Sequence, residues 1–380
     1  MTTTAISVQR LRLFQFRNYG ESTVRFAPGV NLIAGANAQG KTNLLEAVAT
    51  LALTRSPRAP SSEALLQWDR DEALVEGEVL RPGAPVTIAA RFTRDPLSRR
   101  VSRVMTVDGN RSQPGGVLGR CPVVLFWPDD LMLVKAGPEG RRRLLDTVLA
   151  QLDPATADAL IRYRRVLEQR NALLKQLRAG SPNRVALSGF TQELAVLGAR
   201  IEVSRARLVA RLAPLAGRAL EQLTGSRERL GLRYAPARGE PVDDAATAES
   251  LLLRALAERA AEEIARGMTV VGPHRDDVEV AIDGKPARIA ASQGQQRTLV
   301  LALKIAEVDY FCERTGMAPI VILDDVFSEL DPTRRADLVR LLAGRAPLQV
   351  LITTAEPLTG TEPFAVARRF DVEAGQVSEA

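Results

Sequence analysis

The stretch Gly35-Ala36-Asn37-Ala38-Gln39-Gly40-Lys41-Thr42 fits G-x-x-x-x-G-K-[ST], a loop whose backbone N–H groups cradle phosphate oxygens. Its flanks agree. Val30 to Ala34 read as a short buried strand, and Leu44, Leu45, Val48 and Leu51 recur at helical spacing behind the loop. The helix dipole and its unpaired amide donors favour an anion at that point before any side chain contributes. Lys41 adds a positive charge for the terminal phosphate, and Thr42 offers a hydroxyl to the divalent metal that travels with it. The reading is a nucleotide site; a chance match in a glycine loop would leave the strand and the helix unexplained.

Two further segments stand downstream in a fixed order. The later one, IVILDDVFSELD (Ile320 to Asp331), begins with an apolar, β-branched run expected to be a central parallel strand and ends it with two acids. Open α/β sheets bind ligands beyond the carboxyl ends of their strands, so Asp324 is expected to hold Mg²⁺ and Asp325 to orient an attacking water. Alone, such acids read as a solvated turn or a helix cap; partnership with Lys41 gives them chemistry. The earlier segment, SQGQQR (Ser292 to Arg297), precedes a helical stretch through Arg314 with Leu299, Leu303, Ala306 and Tyr310 on one face. Ser292 reads as its N-cap. A Ser-x-Gly loop at a helix N-terminus is also an anion site, and with Lys41 already serving one phosphate group it invites the nucleotide of another subunit through Ser292, Gly294 and Gln295.

These three segments resemble the ATP-binding cassette superfamily, in the branch that includes SMC-type chromosome proteins. FRNY (Phe16 to Tyr19), NAQGKTNLLEA (Asn37 to Ala47), Trp127 to Leu131, RRRLLD (Arg141 to Asp146), GPHRDD (Gly272 to Asp277), SQGQQR and ILDDVFSELD together are similar to the RecF family of bacterial recombination mediators. That resemblance spans nearly the whole chain. It implies ATP and Mg²⁺ as cofactors, DNA repair and replication as the setting, and recombinase loading at gapped DNA with RecR and RecO. The chain departs from the wider cassette pattern by carrying Asp325 where Glu is usual, and Thr353-Thr354 where the switch His is usual. A carboxylate shorter by a methylene sits further from the water it polarises, so slow hydrolysis is expected. The only histidine, His274, lies well before the SQGQQR segment and cannot simply replace the switch; a hydrogen-bonded structural role and a functional one are both open for it, and Arg275 is the better phosphate or interface candidate.

Composition bounds the rest. No apolar run within the 380 residues approaches the ~18 that a membrane helix needs, MTTTAISVQR lacks a signal-peptide core, and Cys121 and Cys312 have no CxxC or His partner. A cytoplasmic location is expected, with no membrane partner. Aromatic residues are 4%, too few for a base-stacking platform on single strands. Residues 141 to 233 hold 18 basic against 8 acidic side chains, a local +10 within a net charge of +6. Helical periodicity is longest in the same region, at Leu160 to Leu177 and Phe190 to Leu223, with loop signals at 179–183 between. Such an imbalance attracts a polyanion by counterion release, and Arg162, Arg165 and Arg205 are its candidate double-stranded DNA contacts. Of the 51 basic residues, 46 are Arg, a chain-wide bias that a GC-rich genome would also produce. Arg91, Arg94, Arg99, Arg100 and Arg103 form a second cluster on an expected hairpin. Residues 235–246 read as an exposed loop, 249–266 as a helix, and 268–271 and 278–282 as strands.

The expected fold is therefore α/β, a P-loop head of the ABC type assembled from residues 1–140 and 267–380, with 141–266 an inserted helical lobe. Two heads would close on two ATP molecules as an ATP-dependent homodimer: Gly35 to Thr42 bind the triphosphate, Thr42 and Asp324 the metal, and Ser292, Gly294 and Gln295 of the other subunit the γ-phosphate. Lys41 and Asp325 carry the catalysis. Two other classes share part of the pattern. A transporter ATPase subunit would have a His switch, a compact insert and a membrane partner; a monomeric P-loop kinase or GTPase would need no SQGQQ segment, and a GTPase would need an NKxD motif that is not found.

Overall fold

Four short apolar runs, Val30–Ala34, Val123–Phe126, Ile320–Leu323 and Val350–Thr354, lie side by side as parallel strands in the computed structural model, which describes residues 4–180, 185–225, 227–345, 347–355 and 365–380. They are buried on both faces, which is why they read as continuous apolar runs instead of alternating ones. Val366–Glu373 joins in parallel beside Val30–Ala34, and Gln376–Glu379 closes the edge in antiparallel fashion. The strand order places the carboxyl ends of Val30–Ala34, Val350–Thr354 and Ile320–Leu323 next to one another.

A second sheet, six-stranded and antiparallel, runs Tyr19–Arg25, Ser7–Phe16, Glu72–Leu80, Val86–Arg94, Val101–Val107, Asn110–Ser112. The helix Lys41–Leu53 packs in one hydrophobic core with residues of both sheets, and every residue from Leu44 to Leu53 is buried. A helix apolar all round is a helix with neighbours all round. Leu44, Leu45 and Leu51 are fully buried, and truncating one of them to Ala costs about 2–5 kcal/mol. The helix that opens at the phosphate loop is thus anchored along nearly its whole length.

Both sheets belong to a compact unit of residues 1–130, 219–226 and 300–380. A head built from both ends of the chain is what the sequence leads one to expect. The other unit, residues 131–218 and 227–299, contains the helices Pro138–Leu152, Pro154–Arg178, Ala245–Glu258 and Ala260–Arg266, most of Val185–Thr224, and a three-stranded sheet. Asp153 caps Pro154–Arg178 by accepting the N–H groups of Ala155 and Thr156, with Pro154 at the first helical position.

The unit boundaries differ from the expected ones. Residues 131–140 and 267–299, expected in the head, cluster with the helical unit, and 219–226 cluster with the head. The reason is strand pairing, which local pattern does not reveal: Asp277–Ile282 pairs in register with Leu230–Ala235. Residues 268–271, expected as a strand, are irregular, and the expected helix 249–266 is two helices meeting at Arg259. Of the loop signals at 179–183, the last three residues lie outside the described ones.

Candidate functional site

The phosphate loop owes its shape to two glycines. Gly35 has φ +151°, and a Cβ there would lie 2.3 Å from the Val372 carbonyl oxygen; Gly40 has φ +118°, and a Cβ would lie 2.6 Å from Asn18 Nδ2. At Gly35 a side chain is excluded by conformation and by the Val372 backbone; at Gly40 the left-handed φ disfavours one, and it would displace the Asn18 side chain. Ala36, Asn37 and Ala38 are exposed, and Gly40 caps the helix without a side-chain hydrogen bond, leaving the first-turn amides to an outside acceptor. Lys41 folds back over the loop, its Nζ donating to the carbonyls of Gly35 (2.7 Å) and Ala36 (2.8 Å). Burial pushes its pKa down, while the nearby carboxylates of Asp325 and Asp324 work in the opposite direction.

The acids arrive from the other end of the chain. Thr42 Oγ1 donates to Asp324 Oδ1 at 2.9 Å, and Thr353 Oγ1 donates to the same oxygen at 2.8 Å. Asp324 is buried, and burial raises its pKa against the lowering effect of those two hydroxyls. Asp325 has φ +51°, a left-handed conformation that Asp tolerates better than most residues. Its N–H donates to Thr353 Oγ1 at 2.9 Å and its carbonyl accepts the Ser328 hydroxyl at 2.7 Å. Its carboxylate takes no hydrogen bond among the described residues. The loop, Lys41, Thr42, Asp324 and Asp325 therefore come together as the sequence leads one to expect.

Several braces of this site had no assigned role in the sequence. Asn18 Nδ2 donates to the Gln39 carbonyl, Tyr19 donates to the Gly40 carbonyl, and Arg17 clamps the buried Glu46 in a bidentate pair. Behind the loop, the N–H groups of Ala374 and Gly375 hold Gln39 through its side chain and its carbonyl. FRNY was visible as a motif, but nothing local assigned it to the loop. Thr353 stands at the switch position, and its hydrogen bonds to Asp324 and Asp325 give it a task there.

In the helical unit, Ser292 caps Gln293–Thr315: its Oγ accepts the Gln295 N–H, and Gln295 Oε1 accepts the Ser292 N–H in return, a reciprocal capping box. Gln295, expected to contact the cofactor, is occupied in this way. Arg205 requires a correction. It is 3% exposed, its guanidinium is bidentate on Asp146 and donates to the Pro273 carbonyl, and so it cannot reach DNA. A buried Arg looks the same as a surface one in a charge count. Arg162 is exposed but shared with Glu193 and Asp158, and Arg165 is exposed. His274 is a structural group, sharing a 2.7 Å hydrogen bond with the Tyr163 hydroxyl, and burial lowers its pKa to about 4. Arg275 meets the Thr269 carbonyl at 3.3 Å. The expected hairpin is present, with Arg94 held by Glu63 and Asp71. Burial raises the thiol pKa of Cys121 to about 12 and that of Cys312 to about 11. Among the described residues no helix is long and apolar enough to cross a membrane, and no group of three or more His, Cys, Asp or Glu side chains could hold a metal ion.

A family model described as an AAA domain matches residues 10–114, which contain the phosphate loop. The chain is 39% identical over 381 residues to the DNA replication and repair protein RecF of Heliobacterium modesticaldum, covering 98% of this chain and 99% of that one. It is 42% identical over 348 residues to the protein of the same name from a Synechococcus, covering 90% of each. Among solved structures, the recombination mediator protein RecF with ATP, in the RecFOR pathway, superimposes with a TM-score of 0.89 at 30% identity, over 100% of this chain and 99% of that one. The Smc head domain of Pyrococcus furiosus, at TM-score 0.56 and 16% identity over 99% and 96% of the two chains, shares the fold.

Proposed function

The chain belongs to the RecF family of DNA replication and repair proteins, and on that premise we propose that it is an ATP-dependent DNA-binding recombination mediator whose heads pair around ATP. The observation that carries this reading is the hydrogen bond from Thr42 to Asp324, which joins the phosphate loop to an acid 282 residues away. A mere surface turn has no reason to send its carboxylate to a P-loop threonine.

The residues fit Mg²⁺ and ATP. Thr42 Oγ1 and Asp324 Oδ1 are hard oxygens 2.9 Å apart, close to the edge of an octahedron with bonds of about 2.1 Å. One carboxylate and one hydroxyl are a usual protein share for Mg²⁺, which keeps waters and phosphate oxygens as its other ligands. Bound there, the ion would neutralise charge on the β- and γ-phosphates. Lys41 would turn from the Gly35 and Ala36 carbonyls toward the phosphates, exchanging two neutral acceptors for a charged one. Thr353 fixes the direction of Asp324 and the backbone of Asp325, from which the Asp325 carboxylate would position an attacking water. Its short side chain makes turnover slow.

In the dimer, Ser292 and Gly294 of one subunit contact the γ-phosphate bound by Lys41 of the other, and ATP acts as interfacial glue. Hydrolysis then releases the dimer and the double-stranded or gapped DNA it holds. Recombinase loading at gaps, with RecR and RecO as partners, is part of the same proposal and is supported by the RecFOR pathway in which the solved relative acts. Size-exclusion chromatography with light scattering tests the reading: ATP should convert monomer to dimer, DNA should strengthen the conversion, and a monomer under every condition contradicts it.

A further inference from the structure

Gln295 uses both ends of its side-chain amide internally. Oε1 accepts the Ser292 N–H at 2.7 Å, and Nε2 donates to Glu228 Oε1 at 3.0 Å. The second oxygen of that carboxylate, Oε2, is shielded from solvent and has no hydrogen-bond partner among the described residues. The capping box needs only Ser292 and Gln295, and a neutral acceptor would serve Nε2 equally well. A charged, half-satisfied carboxylate is the costly choice. Its position is also held firmly: the N–H of Arg229 donates to Asp283 Oδ1 and that of Asp283 to the Arg229 carbonyl, and the next residue, Leu230, pairs with Ile282.

We propose that Glu228, Gln295 and Ser292 form a latch that keeps the N-terminus of Gln293–Thr315 from accepting phosphate, and that the γ-phosphate carried by a second copy of this chain engages only once Gln295 has left Glu228. The proposal rests on the composite-site reading above. The Ser292 N–H, the Gln295 N–H and the Gln295 amide are three donors that a phosphate at this helix end would use, and all three are occupied. The Glu228 charge adds repulsion against a triphosphate at the same place. Nucleotide in the partner's loop must therefore compete with an internal anion, which discourages closure by weakly bound or incomplete nucleotide.

The test uses Glu228→Gln, which keeps the shape and an acceptor for Gln295 but removes the charge, and Glu228→Ala, which removes both. The readout is the ATP concentration giving half-maximal dimer by light scattering, alongside ATP affinity of the monomer at low protein concentration. The latch predicts a midpoint about 3- to 10-fold lower for Glu228→Gln, at least as low for Glu228→Ala, and unchanged monomer affinity. An unchanged or higher midpoint in both variants, with wild-type melting behaviour, overturns it. Ser292→Arg in the same assay separates the two levels. If it dimerises with ATP normally, the composite site itself fails; if it blocks dimerisation while both Glu228 variants match wild type, only the latch fails.

Discussion

Thr353 Oγ1 donates to Asp324 Oδ1 at 2.8 Å and accepts the Asp325 N–H at 2.9 Å, so one hydroxyl holds the carboxylate of the first acid and the backbone of the second. Thr353→Val keeps the shape and removes the hydroxyl. It leaves a buried carboxylate short of a donor and a backbone N–H without its acceptor, a loss of about 1–3 kcal/mol. Turnover should fall at least tenfold with a smaller change in ATP affinity, and Thr353→Ser should restore most of it. Wild-type turnover in the Val variant, measured by phosphate release, would show that the hydroxyl is incidental.

The two acids should separate kinetically. Asp324→Asn weakens Mg²⁺-dependent ATP binding and turnover together, because Thr42 and Thr353 both converge on the lost charge. Asp325→Asn retains binding and accumulates an ATP-bound dimer. Equilibrium ATP binding and single-turnover hydrolysis distinguish them; full hydrolysis in both variants would remove these residues from the chemistry.

Charge reversal at Arg162 and Arg165 should weaken double-stranded DNA binding and lower its salt slope, with melting temperature nearly unchanged. Arg205→Ala should behave differently: it strands Asp146 and costs on the order of 3–5 kcal/mol of stability. Thermal melts beside DNA titrations decide the matter, and a stable Arg205→Ala protein with reduced DNA affinity would restore Arg205 to the DNA surface.

A buried cluster on the Gln293–Thr315 helix gives a pH prediction. Lys304 lies 3.1 Å from Glu307 Oε1 and 3.7 Å from Asp130 Oδ1. Burial pushes Glu307 up from 4.5 to about 7, with Lys304 opposing and Asp130 assisting. Between those values the folded state holds the proton more tightly than the unfolded one, so this group's contribution to stability falls as pH rises from about 4.5 to about 7. Glu307→Gln should flatten the pH dependence of urea unfolding across that window; an unchanged slope would place the folded pKa near its ordinary value.

How much of this was legible follows from where the information lies. The loop at Gly35 to Thr42 and the strand before Asp324 were readable because a glycine pattern and a buried apolar run are local signals. The pairing of Ser292 with Gln295 is legible in the S-x-x-Q spacing, which names the side chain that answers the cap, whereas the bond from Gln295 to Glu228, 67 residues away, is not. Asn18, Ala374 and Gly375 were illegible as braces, because their contacts with Gln39 depend on chain reversals far from it in sequence. Arg205 was misread for the same reason: its partner Asp146 is 59 residues away, and charge counting treats every arginine as solvated. The extent of the helical unit was hidden in the pairing of Leu230–Ala235 with Asp277–Ile282.

In the proposed dimer each ATP is shared by Lys41 of one subunit and Ser292 of another. Lys41→Met removes charge-assisted phosphate contacts worth about 1.5–3 kcal/mol and should lose most ATP binding; Ser292→Arg should bind ATP but neither dimerise nor hydrolyse it. Mixing the two inactive proteins is the most direct measurement. A mixed dimer contains one site damaged on both sides and one intact, so partial ATPase activity should appear on mixing. Activity that stays at the sum of the two separate proteins, while Ser292→Arg alone dimerises and turns over normally, would contradict the shared site and return Ser292 to an ordinary helix cap.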